Sequence, residues 1–325
     1  MQITTHRRIL TAACLAGALL FLAIPGVRLG AQQEAAPPQA QQPIRVETTL
    51  VNLFVTVRDK HGAIVPNLNK DDFHIFEGGT EQKIAVFSRD VSLPITLGLL
   101  LDTSGSEQET LGFEKEALSS FIRQVLRKND LAMLITFDSN VDLLADFTDD
   151  TSIFDRAIQR ARVNVPSGAT GPLSQSQQVG TAFYDAIYLA CHDQLSTQAG
   201  RKAIVAVTDA NDEGSRLRIQ DAIEAAQRAD AVVHILLVID PHYGGNPGAA
   251  HKLADDTGGR VIDVHRGRDI QKAFDEISEE LRSQYTLGYY PTNSAHDGSF
   301  RKIKVETKDS GMKVLARKGY YAPKN

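Results

Sequence analysis

Cysteine is nearly absent: the 325-residue chain has two, Cys14 and Cys191. Two cysteines supply neither a disulfide framework nor a CxxC zinc site, so stability has to come from packing. Basic blocks are missing as well. Thirty-five Lys and Arg against forty Asp and Glu give a net charge of −5. No basic patch interleaved with aromatics grips a phosphate backbone, which argues against nucleic acid as a partner. No GxSxG elbow stands at a strand end, which argues against a serine hydrolase. With 42% hydrophobic and 23% charged residues, the composition fits neither a disordered tail nor a multi-span membrane protein. At roughly 150 residues per domain the length allows about two folded units.

The N-terminus is expected to carry a transport signal. Arg7 and Arg8 precede an apolar run, Ile9 to Val27, broken by Pro25-Gly26, and Gly30-Ala31 offers a cleavage point before Gln32. Residues 1–31 have the layout of a secretory signal. Retained, the run is about long enough to serve as an N-terminal membrane anchor. A lipid on Cys14 is disfavoured, since most of the apolar run follows that residue. Cleavage removes Arg7, Arg8 and Arg28 and no acid, so the net charge moves from −5 to three units more negative. The mature protein is expected to be acidic and exported to the periplasm, cell surface or medium, with no membrane span. Residues 32–43, rich in Gln, Ala and Pro, lack the large apolar side chains that offset ordering entropy and are expected to form a flexible tether.

From residue 44 to 92 the period is two. Val51, Leu53, Val55 and Val57 share one face, the turn DKHG follows, and Phe73, Ile75 and EGGTEQ predict a hairpin with Ile84 to Phe87 as its return strand. The period changes at Pro94. ITLGLLLD, LAMLITFD, AIVAVTDA and AVVHILLVID are continuous apolar runs ending in acids, as in strands buried on both faces of a parallel sheet. Between them lie helical stripes such as Leu118, Phe121, Ile122 and Val125, and later Ile270, Phe274, Ile277 and Leu281. Strand alternating with helix over residues 93–283 predicts a doubly wound α/β domain with a mostly parallel sheet. Residues 284–325 return to period two. The two β segments are each too short for a stable sandwich, so the economical arrangement pairs them into one β-sandwich with the α/β domain inserted between.

The chemistry concentrates where the apolar strands end. LLLDTSGS places Asp102, Ser104 and Ser106 on the loop past one strand, and Asp209 ends another; in an open α/β sheet ligands bind at that edge, at the topological switch point. Thr181, in GTAFYDAI, precedes a helix. Two carboxylates and three hydroxyls are hard oxygen donors, which suit Mg²⁺ or Mn²⁺, with Ca²⁺ a weaker candidate, and argue against Zn²⁺ or copper.

DTSGS after a strand, FDSNV after the next, GTAFYDAI before a helix and VTDANDEGS after a later strand together resemble a von Willebrand factor A domain with a metal-ion-dependent adhesion site. The resemblance covers about Leu93 to Ser283. The flanking segments, VxVxDKHGAxVxxLxxDDFxIFEGG and YxLGYYP, are similar, more loosely, to the VWFA-related family of secreted proteins common in acidobacteria. The resemblance implies that Ser104, Ser106 and Thr181 supply hydroxyl ligands and that Asp102 and Asp209 act directly or through water. It also implies a position left open for an acidic group on a partner. Two departures stand out. The usual Gly-Gly-Thr is Val179-Gly180-Thr181 here, with Thr170 as a rival ligand, and the usual Asp-Gly is Asp209-Ala210.

A strand ending in Asp also opens the haloacid dehalogenase-type phosphatase motif, but that chemistry needs a general acid two residues on, where this chain has Ser104. His234 fits a packed strand residue. His242 and His251 flank a Gly-rich loop, as rim contacts or plain loop residues. Asn211, Asp212 and Glu213 either widen the metal site or form a solvated loop, and Tyr289, Tyr290, Tyr320 and Tyr321 either pack the sandwich or form a contact patch. The expected function is that of an exported binding or adhesion protein, not an enzyme, which captures a carboxylate of a protein or glycan through its metal. The alternative is a cell-envelope scaffold with a structural A domain.

Overall fold

The computed structural model describes residues 50–89, 93–163, 180–239, 244–265 and 267–324. The expected signal, the tether, Cys14, Thr170 and His242 lie outside them. The chain opens with β1 (Val51–Arg58), β2 (Phe73–Glu77), β3 (Thr80–Gln82) and β4 (Ile84–Ser88). An alternating section follows: β5 (Ile95–Asp102), α1 (Leu111–Val125), β6 (Leu131–Phe137), β7 (Val141–Thr148), α2 (Thr151–Arg160), α3 (Phe183–Leu189), β8 (Arg201–Thr208), α4 (Ile219–Arg228), β9 (Ala231–Val238), α5 (Pro247–Thr257), β10 (Val261–Val264) and α6 (Ile270–Leu281). Four strands close the chain: β11 (Tyr285–Tyr289), β12 (Phe300–Thr307), β13 (Lys313–Leu315) and β14 (Gly319–Tyr321).

The alternating section builds a six-stranded sheet in the order β10-β9-β8-β5-β6-β7, parallel except for β7. Every residue of β5 and β9 is buried, which is why these strands read as unbroken apolar runs. Strand β7 was not among the expected runs; it lies on the edge with Asp142 and Leu143 exposed and so lacks their apolar continuity. One face of the sheet is covered by α1, α2 and α6, where Phe121 and Phe274 meet with ring centroids 4.7 Å apart. The other face is covered by α3, α4 and α5 around Phe183, Ile187 and Leu253. The predicted stripes on α1 and α6 are the buried faces of those helices.

The flanking segments pair with each other. Strand β1 sits between β13 and β11, and β4 completes that sheet; β2 pairs with β12 in a second sheet ordered β14-β12-β2-β3. Leu53 lies opposite Leu287, and both join Val55, Ile75, Tyr289 and Ile303 in one core. The fold is thus α/β with a mostly parallel central sheet and flanking antiparallel sheets. One expectation is corrected: β2 returns through Thr80–Gln82, whereas Ile84–Ser88 pairs with β11 in the other sheet. Burial alternates without a break through Gln82, Lys83 and Ile84, so period two alone does not reveal that the chain changes sheets there.

A buried ionic hub ties β1 to α6. Glu280, with its side chain fully buried, accepts from Arg58 at 2.8 Å and from Arg260 at 2.7 Å. Arg260 also reaches Glu276 at 2.9 Å, and His234 lies alongside, wholly buried, with neither ring nitrogen hydrogen-bonded. Burial pushes the Glu280 carboxyl up, but His234, Arg260 and Arg58 together hold it below the usual glutamate range. Removing the carboxylate leaves Arg260 with Glu276 alone and Arg58 with the Gly62 carbonyl alone, so Glu280→Ala should cost about 3 kcal/mol in urea unfolding. Because its folded value is depressed, the stabilisation from Glu280 is complete well above about pH 4.3 and is lost as pH falls through the folded value. The stability gap between wild type and Glu280→Gln should narrow accordingly under acid.

Candidate metal centre

The chain reverses its direction of travel across the sheet between β5 and β8, so the crevice at their carboxyl ends is the switch point. Asp102 is the last residue of β5, fully buried; Asp209 follows β8 and is also buried. The Ser104 amide donates to Asp102 Oδ1 at 2.9 Å, and the Thr208 hydroxyl donates to Asp102 Oδ2 at 2.6 Å. Asn211 binds Asp209 twice, from its amide at 2.9 Å and its side chain at 3.1 Å. The hydroxyls of Ser104 and Ser106 lie 3.0 Å apart on the loop between β5 and α1.

Thr181 reaches the same region from the start of α3. Its carbonyl accepts from the amides of Glu213 and Gly214 at 3.2 and 3.1 Å, and Ala182 N–H donates to the carbonyl of Asp138 at 2.6 Å. Gly180 is required here: a Cβ on it would lie 3.0 Å from the Glu213 backbone. The segment is thereby latched to the loops after β6 and β8. Ala210 takes the glycine-favoured left-handed conformation, φ 59°. The turn after Asp209 is therefore kept without glycine. Its amide is satisfied by the Thr208 hydroxyl at 3.0 Å.

The sequence did not single out Glu107. It stands on a short 3-10 turn, Gly105–Glu107, and is buried. Asp102, Glu107 and Asp209 bring one carboxylate oxygen each within 4.8 Å of one another. Burial pushes the Asp102 carboxyl up to about 8, with Glu107 adding to the rise and hydrogen bonds from Ser104 and Thr208 opposing it. Glu107 is raised by burial first and then by Glu114 and Asp209. Besides burial, the largest influences on these carboxyls among the described residues are acids, hydroxyls and the Ser104 amide, with no Lys or Arg among them. Converging buried carboxylates without a cationic side chain, beside two serine hydroxyls, fit a hard divalent cation.

Other candidates have structural partners. Asp212 accepts from the Tyr184 amide at 3.0 Å and the Ser215 hydroxyl at 2.5 Å, tying the loop after β8 to α3. His251 is exposed on α5, and Cys191 is buried with its thiol pushed well up by desolvation. Tyr289 and Tyr320 are buried and both donate to Glu77, at 2.8 and 3.0 Å, while Tyr290 is exposed.

In the absence of divalent cation, Glu107→Gln should relieve like-charge crowding and raise stability by about 1–2 kcal/mol. Thermal melts in EDTA and in Mg²⁺ check this: the wild type should gain more from Mg²⁺ than the variant, because the variant has lost a carboxylate.

Comparison with known proteins agrees with this fold. Residues 97–212 match the von Willebrand factor type A domain. Calcium-activated chloride channel regulator 1 of Bos taurus is 26% identical over 191 residues, covering 57% of this chain and 19% of the bovine protein. This chain thus spans about a fifth of that relative's length. Proximal thread matrix protein 1 of the mussel byssus superposes with a TM-score of 0.50 at 12% identity, over 69% of this chain and 51% of the mussel protein. Its form with a zinc-occupied MIDAS motif also gives 0.50, at 11% identity, over 63% and 49% of the two chains. The acid-lined switch point thus falls within the stretch, residues 97–212, that matches the von Willebrand factor type A domain.

Proposed function

We propose that the protein is an exported binding protein whose A domain holds a divalent cation and uses it to capture a carboxylate of a protein or glycan partner. The observation that carries this reading is the convergence of Asp102, Glu107 and Asp209, buried and without a cationic counter-charge, at the switch point. Asp102, Ser104, Ser106, Thr181 and Asp209 are the proposed metal-binding residues, with Thr181 favoured over Thr170. Oxygen donors of this kind favour Mg²⁺ or Mn²⁺. The mussel protein's zinc-occupied motif supports a divalent ion at this place in the fold. When bound, the ion would supply a positive centre for an incoming carboxylate. Thr208 and Asn211 orient the two aspartates, and the latch at Gly180 keeps Thr181 beside the loop that follows Asp209. Among the described residues no helix is long and apolar enough to cross a membrane, and export rests on the N-terminal signal.

Mn²⁺ relaxation tests both parts of the reading. Wild type should bind Mn²⁺ weakly, Asp102→Ala should abolish binding, and Thr181→Ala should weaken it more than Thr170→Ala. Adding a glutamate-bearing peptide should displace water from the bound ion and lower its relaxivity, an effect that EDTA removes. Peptide binding indifferent to EDTA would favour a scaffold role in which the A domain is structural.

A further inference from the structure

A cavity of about 290 Å³ opens between the sandwich and the end of α4. Its walls are the start of β1, the last turn of α4, the loop after β11 and the residues that follow β14. None of the residues assigned to the metal centre lines it. The volume is close to the lower end of small-ligand pockets, about 300 Å³. Side chains already fix the walls. Arg301, buried, donates to the carbonyls of Asn293 and Ala295 and so holds the loop after β11. Arg317 donates to the Asn52 carbonyl at 2.8 Å and pairs with Asp230, joining β1 to the turn after α4. The Arg228 guanidinium stands 4.0 Å from the centre of the Tyr321 ring.

The three arginines of the cavity are each matched by an acid: Arg317 by Asp230, Arg228 by Glu224 at 2.8 Å and Arg301 by Glu77 at 3.6 Å. Lys324 lines the same cavity, is exposed, and has no acidic partner among the described residues. Asn52 and Ser294 also line it, and neither side chain makes a hydrogen bond among the described residues. The cavity thus offers one unbalanced positive charge, with an amide and a hydroxyl that each both donate and accept. We propose that it is a metal-independent binding site for a small polyhydroxylated monocarboxylate, of the sugar-acid class, with Lys324 taking the carboxylate and Asn52 and Ser294 the hydroxyls. One free ammonium balances one anionic charge, and a second would meet Asp230 with no cation to spare. Sugar hydroxyls donate and accept in turn, as the amide and the serine do, whereas a bare carboxylate leaves both unused. Walls held by Arg301 and Arg317 need little ordering when a ligand binds, which favours affinity in a small site. The inference goes beyond the metal-dependent function proposed above and does not rest on it.

Glucuronate is the probe, titrated onto the full chain in EDTA and followed by saturation-transfer difference NMR. Wild type should bind it, with glucose and acetate each weaker by about tenfold or more, because one lacks the charge and the other the hydroxyls. Lys324→Gln changes an exposed side chain and leaves the arginine-held walls in place, so it should fold normally and weaken glucuronate by about tenfold. Asp102→Ala should leave glucuronate binding unchanged. Acetate binding as tightly as glucuronate, or no glucuronate binding in EDTA, overturns the proposal. So does glucuronate binding that needs Mg²⁺ and Asp102 and ignores Lys324→Gln, a result that keeps the metal site and removes this one. A glutamate-bearing peptide that binds in EDTA more tightly than glucuronate, and loses that binding in Lys324→Gln, would assign the cavity to peptide and overturn the sugar acid.

Discussion

Two apolar strands that end in carboxylates dictate the rest of this structure. β5 is buried along its whole length and lies in parallel register with β6 and β8, with Leu101 opposite both Thr136 and Val207. That register leaves Asp102 at the interior end of one strand and Asp209 just past the next. Burial raises the Asp102 carboxyl, and the Thr208 hydroxyl and Ser104 amide offset only part of the cost. A fold that delivers acids to its interior without a matching Lys or Arg requires either protons or a cation. The proposed function takes the cation.

The sandwich depends on a different constraint, chain return. β11 lies between β1 and β4 and pairs the edges of both, and it begins within a few residues of the end of α6. Arg201, at the start of β8, bonds the Leu281 carbonyl at 2.7 Å and so anchors the end of that helix. The Glu280 hub fastens the same helix to β1. The α/β section and the sandwich therefore share the last turn of α6 as a common support.

Much of this was legible in the sequence because it follows from periodicity. Continuous apolar runs gave the buried parallel strands, the stripes gave α1 and α6, and period-two segments at both ends gave the antiparallel sheets. The proposed metal residues came from the resemblance, together with the position of Asp102 and Asp209 at strand ends. The buried glutamates were missed, although the same arithmetic holds their signal. Glu114 falls on the stripe Leu111, Leu118, Phe121 and Val125, and Glu280 lies one turn from Ile277. Glu77 continues the inward alternation Phe73, Ile75. An acid on an apolar face is a buried charge that demands a partner. Glu107 extends the spacing of the Leu111 stripe by one turn but stands before the helix, on a loop whose 3-10 turn only the tertiary structure reveals. The sheet switch between β3 and β4 was equally hidden, since alternation does not say which sheet a strand joins.

On the proposed function, the acids at the ends of β5 and β8 hold a divalent ion. Anomalous diffraction from a crystal soaked in Mn²⁺ addresses it directly. An anomalous peak is expected in contact with the Ser104 and Ser106 hydroxyls and beside Asp102 and Asp209. A fully soaked crystal with no peak there, while Mn²⁺ appears at other acidic positions on the surface, would contradict it.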